Sequence, residues 1–305
     1  MGIQEFYSHG KLLLTGEYVV LDGANALALP CKLGQSLCVK QSFNENYSWT
    51  SYLRDGELWQ KVSFSLEDVL KDKSETGFEK RLFQILKVVY KLNPGAFEKA
   101  YDFSTTLEFE KDWGLGSSST LINNIAQWAN LDSYKLLDKT FGGSGYDIAA
   151  AKMQSPFIYR RFDNKVHTET VNLSDAITPH VFFIYLNQKQ NSRHAIANYR
   201  KVNSDAKKVT LKQIDEITQN ILKTDKLNEF EGLLKSHENL ISELIGLDTI
   251  KKQKFADYKS GIIKSLGAWG GDFILATAKD KSELEYFKLK GYNTIFQYKE
   301  LVLQS

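Results

Sequence analysis

Apolar residues along this chain follow two different periods, and the change of period separates a strand-rich first half from a helix-rich second half. Residues 12–21 read as a strand, and Phe103, Thr105, Leu107 and Phe109 alternate as a half-buried one. Leu82, Phe83, Leu86, Val89 and Tyr90 share one face of a helix that must end before Asn93-Pro94-Gly95. Residues 157–162 and 166–171 pair as a hairpin around Asp163-Asn164. Pro179 precedes an apolar strand over 181–186, which places the domain boundary near 175 and the two domains at 1–175 and 176–305. Leu211, Ile214, Ile217 and Ile221 mark one amphipathic helix; Leu227, Phe230, Leu233, Leu234, Leu240, Ile241 and Leu244 mark the next. A strand over 273–277, a short helix from Ser282 and a strand over 293–298 complete the second half. Strand–helix–helix–strand–helix–strand is the order of a ferredoxin-like split βαβ, and the whole chain reads as α+β.

Composition narrows the classes. The 305 residues suffice for one large or two modest domains, and 42% hydrophobic with 25% charged residues is ordinary for a globular chain. Lys and Arg number 39 against 37 Asp and Glu, and a net charge of +2 makes no case for nucleic acid or a membrane surface. Apolar runs fall short of the roughly 20 residues of a membrane span, and no leader is visible, so a cytoplasmic location is expected. Cys31 and Cys38 read as two buried thiols rather than a disulfide or metal pair.

The chemistry concentrates at Trp113-Gly114-Leu115-Gly116-Ser117-Ser118-Ser119-Thr120. Two glycines frame a turn, and Leu121, Ile122, Ile125, Ala126 and Ala129 then recur at helical spacing. The serines therefore stand where a helix's first backbone N–H groups lack partners, and such a terminus favours an anion. Taken alone, the stretch is as readily a Ser-rich cap. It is not a GxxxxGK[ST] loop, and Ser119 replaces the third glycine of a dinucleotide fingerprint. Two further glycine-rich turns stand at Phe141-Gly142-Gly143-Ser144-Gly145-Tyr146-Asp147 and at Leu266-Gly267-Ala268-Trp269-Gly270-Gly271-Asp272. Near the start, Gly10-Lys11-Leu12-Leu13-Leu14-Thr15-Gly16-Glu17-Tyr18-Val19-Val20-Leu21 opens an apolar run with a lysine.

In this order the four stretches resemble the GHMP kinase superfamily, whose motifs have the forms GK(x)3–4GEhxV, GLGSS and GxGGG with an SGxD segment between the last two. The resemblance spans Lys11 to Asp272. The Gly16-Glu17-Tyr18 form and the Gly270-Gly271-Asp272 ending are similar to those of the phosphomevalonate kinases within the isoprenoid branch. The resemblance implies an N-terminal domain like the second domain of ribosomal protein S5, a ferredoxin-like C-terminal domain, and ATP in the cleft between them. It implies an ATP- and Mg²⁺-dependent kinase of a small isoprenoid intermediate, most like the phosphomevalonate kinases. The alternatives are a mevalonate or sugar kinase, or a protein of this fold that has lost catalysis and binds a ligand or partner. A homodimer is compatible with it.

Residue by residue, the resemblance assigns Gly114, Leu115, Gly116, Ser117, Ser118 and Ser119 to the nucleotide's phosphates, with Ser117 or Ser118 also contacting Mg²⁺. Asp147 matches the aspartate that orients or deprotonates the acceptor hydroxyl, and Lys11 the lysine beside it. Glu17, Ser144, Gly145, Ser192, Arg193, Gly267, Gly270 and Gly271 fall on the acceptor side, with Glu17 open between a structural and a substrate role. His9 reads as a surface residue near the substrate mouth. Trp269 stands where the family carries glycine, which puts a bulky ring at the acceptor pocket. Residues 120–141 are shorter than the family's helical pair, and no metal-binding glutamate precedes the SGxD segment; Asp138 is the nearest carboxylate.

Overall fold

Long-range pairing arranges the chain into two interleaved units. The computed structural model describes residues 2–163, 165–189, 192–267, 269 and 271–304, with only the backbone of 192–195. Unit 1 comprises Met1–Gly10, Leu33–Lys111 and Leu115–Lys152; unit 2 comprises Lys11–Lys32, Asp112–Gly114 and Met153–Ser305.

Strands β1 (Gln4–Leu13) and β2 (Ala26–Gln41) contribute residues to both units. The rest of unit 1 is β3 (Tyr47–Tyr52), β4 (Leu58–Phe64), α1 (Leu66–Lys71), α2 (Gly77–Leu92), β5 (Tyr101–Leu107), α3 (Ser117–Trp128), α4 (Ser133–Thr140) and α5 (Tyr146–Ala150). Its strands run in the order β4-β3-β5-β2, with β3 parallel to β5 and the other neighbours antiparallel. The alternation over 103–109 does bury Phe103, Thr105 and Leu107 on one face of β5. Helix α2 begins at a capping box between Thr76 and Glu79 and stops where Pro94 lacks the N–H to continue it. Trp49, Phe83, Phe103, Ile122, Ile125 and Leu136 belong to one core, in which Trp128 meets Phe103 edge-on at 4.8 Å.

The strand read over 12–21 ends at Leu13, and residues Val19–Asp22 form a 3-10 turn instead. Every residue from Leu12 to Val20 is buried, polar Thr15 and Glu17 included, so the apolar residues there report burial rather than pleat.

Unit 2 opens with the hairpin of β6 (Phe157–Phe162) and β7 (Lys165–Thr170), where Asp163 adopts a φ of +48° in the turn. Asn164 lies outside the described residues. Strand β6 also pairs with Ala26–Ala28 of β2. Next come β8 (Val181–Tyr185), α6 (Ser192–Arg200), α7 (Ser204–Lys223), α8 (Leu227–Ile245), α9 (Ile250–Lys254), β9 (Ile263–Ser265), β10 (Phe273–Thr277), α10 (Glu285–Leu289), β11 (Ile295–Gln297) and α11 (Tyr298–Leu301). The second sheet has the order β11-β8-β10-β9, all antiparallel. Counted from β8, that is 4-1-3-2, the ferredoxin-like arrangement; β9 is the strand that periodicity passes over. Cys31 and Cys38 are free thiols, the first buried and the second partly so. Among the described residues no helix is long and apolar enough to cross a membrane.

Phe103, stacked on Trp49 at 5.0 Å and 1% exposed, tests the unit 1 core. Phe103→Ala is expected to cost about 3–5 kcal/mol in urea denaturation, because the side chain leaves a cavity that neighbours cannot fill. Phe43→Ala, at a ring 94% exposed, should stay within about 0.5 kcal/mol. Equal small losses at both sites would contradict this packing.

Candidate active site

The turn that begins at Trp113 is held at its first residues by unit 2. The Trp113 ring is buried edge-on against Phe296 at 5.3 Å and Phe273 at 6.0 Å. Gly114 and Gly116 then adopt φ of +67° and +95°, the left-handed region that side chains rarely enter. Between them Leu115 is fully buried. Its carbonyl lies so close to Gly10 that a Cβ there would approach within 3.1 Å, which accounts for the glycine before Lys11.

Helix α3 starts at Ser117 with Gly116 as its cap, and no side chain caps it. The first helical bond is Thr120 N–H to the Gly116 carbonyl, so the N–H groups of 117–119 precede the ladder. The four hydroxyls that follow are not equivalent. Ser119 is buried and its Oγ donates to the Gly116 carbonyl at 2.8 Å. Thr120 Oγ1 donates to Gln35 Oε1 at 2.7 Å. Ser117 is half-buried and Ser118 exposed, and among the described residues neither hydroxyl has a protein partner. Below them a buried network locks the helix to β1 and β2: Ser8 Oγ donates to Asn124 Oδ1 at 2.6 Å, Asn124 Nδ2 to the Gln35 carbonyl at 2.9 Å, and Asn123 Nδ2 to Ser8 Oγ at 2.9 Å. Uncapped N–H groups behind two left-handed glycines, with two available hydroxyls, suit an anion with several oxygens.

Asp147 stands in the first turn of α5 after Gly145, whose φ is +85°. Ile148, Ala149 and Ala150 are buried and fix that turn, while Asp147 and Ser144 are half-buried. His9 is half-buried, edge-on to Tyr7 at 5.0 Å. In unit 2, Lys11 Nζ donates to the Gly114 carbonyl at 3.0 Å, joining the first motif to the glycine turn. Ser192 and Arg193 open α6, but their side chains lie outside the described residues, as does Gly270. Gly267 has a φ of +63° with open space around it, and Gly271 is buried.

Glu17 sits in a cluster that sequence reasoning did not assemble. It is 1% exposed and pairs with Lys264 of β9, itself fully buried. Lys264 also donates to the Ser265 carbonyl at 2.9 Å, and Glu238 accepts from the N–H of Ser265 at 3.1 Å and from its Oγ at 2.9 Å. His237 Nε2 accepts the Gly16 N–H at 3.0 Å, so that nitrogen carries no proton. Glu17 Oε2 lies 3.3 Å from the same nitrogen. The one lone pair of that nitrogen is taken by the Gly16 N–H, so Glu17 Oε2 finds no donor there, and a proton on Glu17 relieves the repulsion between the two electron-rich atoms. Burial pushes the Glu17 carboxyl up to about 7 against the opposing pull of Lys264. Burial, reinforced by Lys264, keeps His237 well below its ordinary value, hence neutral. A lysine inside the apolar run Ile262-Ile263-Lys264 was the available signal, since buried lysines need a counter-ion.

Trp269 does not project as a bulky intruder at an acceptor pocket. Its ring is 5% exposed in a core with Tyr18, Val19, Tyr199, Ile214, Ile241 and Leu244, and its Nε1–H donates to the Asp248 carbonyl at 3.0 Å. Among the described residues no group of three or more His, Cys, Asp or Glu side chains converges on a metal position.

Glu17 makes stability depend on pH. A carboxyl whose folded value is raised contributes stability that is complete below its unfolded value and is lost as pH rises through about 7. Thermal unfolding of Glu17→Gln, whose amide oxygen can accept from Lys264, should therefore show less loss than wild type between about pH 5 and about pH 7. Glu17→Ala strands the buried ammonium and should cost about 3–5 kcal/mol. Parallel pH profiles for wild type and Glu17→Gln would place the proton elsewhere.

No family sequence model and no curated protein matches the chain by sequence. Solved structures do match over nearly its whole length. Phosphomevalonate kinase of Streptococcus pneumoniae, in complex with phosphomevalonate and AMPPNP, is 16% identical, covers 96% of this chain and 99% of its own, and has a TM-score of 0.69. Lactococcus lactis galactokinase complexed with galactose is 14% identical over 99% of this chain and 94% of its own, with a TM-score of 0.71. The L. major mevalonate kinase in complex with R-mevalonate is 13% identical over 99% and 96%, with a TM-score of 0.69. With its α+β architecture and its 4-1-3-2 second sheet, the chain has the fold of the GHMP kinase superfamily.

Proposed function

We propose that this chain is an ATP- and Mg²⁺-dependent kinase of a small hydroxylated metabolite, and that its acceptor is an isoprenoid intermediate already bearing a phosphate. The observation that carries the nucleotide half is the uncapped start of α3 behind Gly114 and Gly116, with the Ser117 and Ser118 hydroxyls available. Phosphoryl transfer is catalysed chiefly by holding the transferring group and stabilising its charge. Backbone N–H groups at 117–119 supply fixed donors for that purpose. Ser117 or Ser118 can hold Mg²⁺, an ion content with few protein oxygens beside those of a polyphosphate. When bound, the ion offsets charge on the phosphates.

Lys11, fixed at the Gly114 carbonyl, brings a cation to the first residue of the turn. Asp147 orients the acceptor hydroxyl and takes its proton, a role suited to a half-buried carboxylate on a short, rigid turn. The Gly-Glu-Tyr and Gly-Gly-Asp forms, together with the fold shared with a phosphomevalonate kinase, support the isoprenoid branch. For an acceptor that carries a phosphate, Arg193 is the cation proposed at its far end, since a guanidinium binds such a group with two hydrogen bonds.

Coupled ADP release over mevalonate, 5-phosphomevalonate, homoserine and simple sugars tests the acceptor. Turnover of the phosphate ester above mevalonate is expected, and Arg193→Ala should raise KM for it roughly ten- to a hundredfold, the effect of losing a charged hydrogen bond. Efficient turnover of mevalonate or a sugar, with none on the ester, overturns the acceptor assignment. Asp147→Asn should lose turnover by about 10² or more while binding nucleotide as tightly as wild type. Near-normal turnover would make that carboxylate structural.

A further inference from the structure

Asp272 ends the third glycine-rich turn and has no place in the assignment above. Its backbone is anchored: its carbonyl accepts the Leu186 N–H at 2.9 Å, and β10 starts at the next residue. Its side chain is pressed against Gly114. A Cβ at 114 would fall 1.8 Å from Asp272 Oδ2 and 2.3 Å from its Cγ, so the carboxylate occupies the space that any side chain there would need. The same glycine's carbonyl accepts from Lys11 Nζ. A cation and an anion, from segments far apart in sequence, thus meet the first glycine of the turn. Two peptide units later stands Gly116, whose Cα is at most about 7.6 Å from that of Gly114.

A lysine alone would attract every polyphosphate in proportion to its charge. A carboxylate beside it penalises each uncompensated negative charge, and a complexed divalent cation offsets about two of them. We propose that Asp272 is a specificity-determining residue that disfavours the free nucleoside triphosphate and so selects the metal-complexed form. The inference rests on the nucleotide reading of the 114–119 turn. A single charge beside a polyphosphate, screened by salt, alters affinity roughly three- to tenfold, more at low salt and less at high salt.

Calorimetry with a non-hydrolysable ATP analogue, in Mg²⁺ and in a chelator, decides the matter. Asp272→Asn keeps the volume and removes the charge; it should tighten metal-free binding about three- to tenfold at low ionic strength. Binding with Mg²⁺ should change less than about twofold, and the metal-free gain should shrink as salt is added. Asp272→Glu should keep the wild-type ratio, and Asp272→Ser stands in if the asparagine variant does not fold. Equal changes with and without metal, or none, overturn the inference while nucleotide binding by wild type stands. No binding by wild type in Mg²⁺ overturns the nucleotide reading itself, and the role of Asp272 with it.

Discussion

The buried pair of Glu17 and Lys264 is the constraint on which the arrangement of unit 2 depends. It joins residues 247 positions apart, one following the first glycine motif and the other in β9 just before the third. Neither side chain reaches water, so the buried ammonium of Lys264 is tolerable only while the carboxyl oxygens of Glu17 stand against it. Glu238 shares the cation through the field of Lys264 and fixes Ser265, while His237 holds the Gly16 N–H. Between these anchors Tyr18 takes φ 63° and ψ −51°, with the Val19 N–H bonded to the Glu17 carbonyl at 2.8 Å. That is a γ-turn of the strained hand, costing on the order of 1–3 kcal/mol. The Tyr18 ring, buried beside Tyr199 and in the core that contains Trp269, helps to keep it there.

Amphipathic periodicity was a sound guide wherever an element shows one face to a core. Helices α2, α7 and α8 and strand β5 all have that character, whereas the β6–β7 hairpin was legible from its turn residues. It fails where burial surrounds the chain. Residues 12–20 are buried all round, so a strand, a strained turn and a 3-10 turn look alike in sequence. Strand β2 runs through Pro30 and Gly34 without alternation in its first half, and β9 is three residues long with a charge at its centre. Their identity comes from pairing partners far along the chain, which local patterns do not encode.

At the candidate site, glycine spacing and helical periodicity disclosed the turn and the helix that follows. Which hydroxyls remain available was not legible. Ser119 looks like Ser117 in sequence, yet one turn of helix brings it onto the Gly116 carbonyl. Trp269 looked like an obstruction because its bulk was visible and its direction was not; the Asp248 carbonyl and an apolar cluster draw it inward. Glu17 could be read either way until Lys264 and His237 appeared beside it.

The interleaving of the two units bears on how the chain folds as it is made. Residues 11–32 emerge from the ribosome early but belong to the unit completed by residues 153–305. Ala26–Ala28 wait for β6, and Cys31 bridges to Val302 while the Pro30 carbonyl accepts from Leu303. At the usual 5–20 residues per second, the apolar stretch from Leu12 to Leu14 and from Ala26 to Leu29 stays without its final partners for on the order of 10–60 s. Unit 1 can assemble from residues up to about 152 while the intervening segment is still unpaired. Chaperone dependence should therefore centre on residues 11–32, and an amber stop near 290 should yield a chain that is folded in unit 1 yet prone to aggregate through that segment.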